Sequence, residues 1–173
     1  MLFNGSLESR ARRLFALSIS IGLLAIISLV SVLARFTNPP SLRVDLVLIA
    51  VALGGAATSF FLFKWSGFPK VTKASEVFSI SVSFFGSFIG FGSIVYLSSG
   101  VVETLDAGIW EATAGITTTA MSGLDAESLS SSMHIFRSLT QWFGGMSALC
   151  LVFIATPISA KDDIASSGYA SKI

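Results

Sequence analysis

The chain has 173 residues, 53% hydrophobic and 12% charged, with a formal net charge of +1 and a mean hydropathy of +0.80. A soluble domain carries roughly 25% charged residues, so half that density with long uncharged runs reads as an integral membrane protein. The near-zero charge shows no basic stripe and argues against a nucleic-acid partner, and one His with one Cys leaves no metal cluster of the usual ligand types.

Residues 1–13 form a short polar head with Arg10, Arg12 and Arg13. Leu14–Leu33 follows as twenty residues without a charge, enough at about 1.5 Å per residue to cross a hydrocarbon core of about 30 Å. A signal peptide is the competing reading, because Val32-Leu33-Ala34 resembles a cleavage site. Its apolar region would be shorter, about 7–15 residues, so an uncleaved helix is expected. Pro39-Pro40 cannot continue a helix. Leu46–Phe63 is the second apolar run, with Gly54-Gly55 and Thr58-Ser59 spaced for close helix packing. A linker with Lys64, Pro69, Lys70 and Lys73 leads to the third run, Val77–Leu97, which holds Gly86 and Gly90 in GxxxG spacing. That run needs close neighbours, from this chain or from a partner.

Thr104 or Asp106 can cap a helix that reaches about Gly115, roughly half a bilayer long. Thr117–Ser122 then reads as non-helical and Gly123–Met133 as a polar surface loop. Leu139–Ile158 is the fourth full run, ended by Pro157, Lys161, Asp162 and Asp163; Ala165–Ile173 reads as a loose tail. The fold class expected is therefore all-α integral membrane: four transmembrane helices with a re-entrant, pore-type half-helix between spans three and four. Three parts follow: a two-helix hairpin at 1–76, a helix–pore loop–helix repeat at 77–160, and a flexible cytoplasmic tail at 161–173.

Placing both termini in the cytoplasm of a cell (inner) membrane puts Arg10, Arg12, Arg13, Lys64, Lys70, Lys73, Lys161 and Lys172 inside. Only Arg35, Arg43 and Arg137 remain outside, as the positive-inside rule prefers. The half-helix then enters from the external face beneath an acidic rim of Glu103, Asp106, Asp125 and Glu127. Carboxylates at a mouth raise the local cation concentration, although loops are also simply polar. Glu111 is expected to face water at the outer end of the short helix, with burial as the alternative. His134 is expected at the interface as a surface residue, and no catalytic residue is identified.

Irregular backbone at membrane depth is tolerated where it is buried in protein or lines a water-filled cavity. A helix C-terminus aimed at the membrane centre favours a cation, and backbone carbonyls with the hydroxyls of Thr117, Thr118 and Thr119 offer neutral oxygen ligands of the kind potassium filters use. A packed, self-bonded turn is the alternative reading of the same threonines. The segments Ala114-Gly115-Ile116-Thr117-Thr118-Thr119-Ala120, Gly123-Leu124-Asp125, Phe136-Arg137 and Gln141-Trp142-Phe143-Gly144-Gly145-Met146 together resemble the first pore repeat of the Trk/Ktr/HKT potassium transporters, in the TrkH branch. The resemblance spans about 77–158, and the two earlier spans are similar to the extra N-terminal helix pair of that branch.

The resemblance implies a filter at Thr117, Thr118, Thr119, Ala120 and Met121, with Arg137, Gln141, Trp142, Gly144 and Gly145 as motif residues. Three departures bear on function. Ala120 stands where the family has a filter glycine, and Ser147 where it has a further glycine. The family encloses its pore with four repeats, and these residues carry one. The implied function is potassium transport by a single pore repeat within an oligomer. The alternative is a transport-inactive accessory subunit packed in a larger membrane complex. Expected partners are membrane lipids and further copies or other membrane subunits. Potassium, bound lipid or pigment are the possible ligands, with no cofactor. Met1 and the polar tail lead to the expectation of a complete short chain.

Overall fold

The computed structural model describes residues 2–33, 41–119 and 121–166, without the side chains of 2–6, 126 and 162–166. The connection at 34–40, with Arg35 and Pro39-Pro40, lies outside the described residues, as do Ala120 and the tail from 167 onward.

The described residues are helical with no strand: α1 Leu2–Leu33, α2 Leu42–Ser66, α3 Ala74–Ser99, α4 Leu105–Ile116, a 3₁₀ turn at Ala126–Ser128, and α5 Ser131–Ser166. Four of them, α1, α2, α3 and α5, are long and apolar enough to cross a membrane, so the chain reads as a helical membrane protein. Its surface agrees: Leu53, Phe61, Phe78 and Phe153 are all exposed, which water would penalise and lipid does not.

Three expected boundaries change. The polar head is part of α1, because Arg12 is satisfied there by Glu76 of α3 at 3.1 Å. The region expected to be loop up to Met133 contains the first turn of α5. Ser130 caps that turn, its carbonyl accepting the N–H groups of Met133 and His134 at 3.0 Å, and Met133 is fully buried. Pro157 does not end α5, which continues to Ser166. A proline removes its own bond to the carbonyl four residues earlier and crowds that carbonyl, and membrane helices tolerate both through local adjustment.

The core lies where α3 meets α1, α2, α4 and α5, around Leu24, Ile27, Leu48, Phe88, Tyr96, Ile116 and Phe136. The most apolar window of α1 is 50% buried, against 6% for that of α5, so α1 is the interior helix and α5 presents most of its length outward. Short polar bridges tie the helices. Ser59 donates to the Ser18 carbonyl at 2.7 Å, Ser20 and Ser87 share a bond of 2.6 Å, and Ser132 donates to Asp45 at 2.7 Å. Such bonds and small-residue contacts hold helices together where no hydrophobic drive separates protein from lipid. Gly55 meets Ala25 of α1, whereas Gly54, Gly86 and Gly90 face open space.

Candidate functional site

Helix α4 is held on two sides by glycines. A Cβ on Gly108 would stand 2.9 Å from the Ser93 carbonyl oxygen of α3, and one on Gly115 would stand 2.8 Å from the Thr140 hydroxyl of α5. The approach from α5 is closer still. A Cβ on Gly144 would sit against the Ile116 carbonyl oxygen and 2.7 Å from its carbon. Gly145 lies under Thr118, where a Cβ would be 3.5 Å from its methyl group. The glycine pair is therefore what lets α5 lie directly on the end of α4.

That end is closed by a Schellman motif. The Thr119 N–H donates to the Ala114 carbonyl at 3.2 Å and the Thr118 N–H to Gly115 at 3.1 Å. The motif needs a left-handed residue at Thr118, which has φ 58°. Glycine is the usual occupant, and a β-branched residue there is strained by roughly 1–2 kcal/mol. The hydroxyls turn back on the helix: Thr117 donates to the Thr113 carbonyl at 2.6 Å and Thr119 to Ala114 at 3.4 Å. All three threonines are exposed, as is Met121. Among the described residues no donor reaches the carbonyl oxygens of Thr117, Thr118 or Thr119.

Glu111 is buried at 2% exposure, which corrects the expectation that it faces water. Its carboxylate accepts the Ser122 hydroxyl at 2.9 and 3.0 Å and the Gly123 N–H at 2.7 Å. Arg137 of α5 lies 3.4 Å away, with its side chain 15% exposed. One carboxylate thus joins α4, the returning segment and α5. The buried Tyr96 lies alongside, stacked edge-on against Phe136 at 5.8 Å. Sequence reasoning left Glu111 outside the site, yet a signal was present. Gly108, Ala112 and Gly115 mark the packing face of α4, and Glu111 falls on the same stripe.

The acidic residues do not form one ring. Glu103 and Asp106 line a cavity of about 590 Å³ with Trp110, Glu111 and Gly123. Glu127 lines another of about 440 Å³ with Ser41 and Ser128. Asp125 borders neither; its side chain accepts the Glu127 N–H at 3.1 Å and shapes the turn. The hydrogen bond from the Thr104 side chain, followed by backbone N–H groups, holds the Asp106 carboxyl below its ordinary range. Trp142 is exposed, Gln141 half-buried, and His134 half-buried at the start of α5. Ala120 lies outside the described residues, so the glycine-to-alanine departure has no structural account. Compared with family models, curated proteins and solved structures, the chain matches none.

Proposed function

We propose that the chain supplies one repeat of a potassium pathway, related to the Trk/Ktr/HKT transporters, and acts only within an oligomer. The observation that carries this reading is the exposed run Thr117–Thr119, whose carbonyl oxygens accept no bond from the described residues. Behind it the chain is rigid: Glu111 pins Ser122 and Gly123, and Gly144 fixes the end of α4. A braced backbone with unengaged neutral oxygens is what replacing a hydration shell requires. In this reading α4 is a re-entrant half-helix, Thr117–Met121 is one part of a filter, and Glu103 and Asp106 gather cations at its mouth. Further copies or partner chains supply the remaining oxygens.

The proposed setting is a cell (inner) membrane with both termini in the cytoplasm. The basic residues support it, because two of the three on the opposite side are engaged in the fold. Arg43 donates to the Ser98 carbonyl at 3.0 Å, and Arg137 pairs with Glu111. The second reading, a transport-inactive accessory subunit, draws on the Thr117 and Thr119 hydroxyls, which bond back to α4 as in an ordinary helix cap.

Native mass measurement of the purified complex, followed by potassium flux in liposomes, separates the two. Potassium-selective flux from an assembled oligomer, lost when the chain is kept monomeric, is the expected result. An assembled complex without flux would establish the accessory role instead.

A further inference from the structure

A groove of about 610 Å³ runs between α1 and α2, and the exposed Ile26, Leu29 and Phe60 along it open it to the outside of the bundle. Its floor is small, with Gly22 and Ala25 from α1 and Ala52 and Ala56 from α2, and its walls include Ile26 and Phe60. The two hydroxyls at its edge are already used. Ser59 donates to the Ser18 carbonyl at 2.7 Å, and Ser18 donates to the Phe15 carbonyl at 2.8 Å. The groove therefore offers dispersion contacts and no open polar partner.

Its length is specific. From Ser18 to Leu29 the lining runs twelve residues along α1, about 16 Å from first to last at 1.5 Å per residue. One leaflet of a hydrocarbon core about 30 Å thick is about 15 Å deep. One end of the groove carries charge. Lys64 lies one turn beyond Phe60 on the same stripe of α2, its ammonium 5.1 Å from the Phe60 ring centre. Among the described residues no carboxylate comes within ion-pair distance of Lys64. Trp65, at 86% exposure, lies at the same end, where its amphipathic ring favours the headgroup level.

We infer that this groove binds one acyl chain of an anionic phospholipid, with the phosphate against Lys64. A hydrocarbon chain matches the narrow small-residue floor and the depth of one leaflet. The ammonium at the mouth, which no carboxylate among the described residues neutralises, selects a negative headgroup over a zwitterionic one. The inference does not depend on whether the chain conducts ions.

The test is native mass spectrometry of the delipidated full chain in mild detergent, titrated with phosphatidylglycerol or phosphatidylcholine of matched chains. The expected result is one retained phosphatidylglycerol per chain, bound about tenfold more tightly than phosphatidylcholine. Lys64→Gln removes that preference. Ala56→Leu and Ile26→Trp, both at exposed positions, fill the groove and weaken both lipids about tenfold. With the unmodified chain, phosphatidylglycerols whose tails are much shorter than the groove bind correspondingly less well. An unchanged headgroup preference in Lys64→Gln would overturn the inference. So would a tail-length-independent affinity, or a dimer whose cross-links place a second copy's helix in the groove.

Discussion

Glu111 is the residue whose removal tests the site most directly. Replacing it with alanine leaves the Gly123 N–H without its acceptor and the Arg137 guanidinium without its counter-charge; the exposed Ser122 hydroxyl turns to solvent. Breaking a buried ion pair costs about 3–5 kcal/mol. The Arg137 side chain keeps 15% of its surface, which admits some water and sets the expectation near the lower end, about 3 kcal/mol. Reversible unfolding in mixed micelles reads the loss. A double-mutant cycle of Glu111→Gln with Arg137→Met should return a coupling of about 1–3 kcal/mol. Limited proteolysis should cut the 117–125 segment faster in Glu111→Ala, because among the described residues no other hydrogen bond ties Ser122 and Gly123 to α4. A loss under about 0.5 kcal/mol, or an additive cycle, would refute the assignment of Glu111 as the brace.

Gly144→Ala should destabilise by about 1–3 kcal/mol through overpacking against Ile116 and should abolish any flux, read by the same micelle titration and by liposome assay. Thr118→Gly should stabilise by about 1 kcal/mol, since it removes a left-handed β-branched residue; a loss of stability would show that the Thr118 side chain does more than tolerate its backbone. Ionised Asp106 stabilises the first turn of α4, and its folded pKa is depressed. Its contribution is present above the unfolded carboxylate pKa and fades as pH falls through the lower folded value. Asp106→Asn should flatten stability against pH in that acid window, and a carbon-detected carboxylate titration should place Asp106 below the ordinary range.

The four apolar runs were legible because length and hydropathy alone decide whether a helix can cross a membrane. The ends of α5 were not. Arg137 reads as polar sequence until Glu111, 26 positions earlier, neutralises it. Pro157 reads as a stop because sequence rules are tuned to water. The short helix and the threonine run were readable from capping and β-branching. That Thr118 carries the left-handed angle was hidden, since nothing local distinguishes it from Thr117 or Thr119. The glycine pair was visible as a motif, but the carbonyl that demands it sits on another helix.

Side chains are normally the compressible layer between two helices, and at Gly144 that layer is missing. The backbone of α5 bears directly on the Ile116 carbonyl, and the strained Thr118 follows two residues later. A displacement of α5 at this point has no side chain to absorb it and meets the Ile116 backbone, two residues before Thr118, directly.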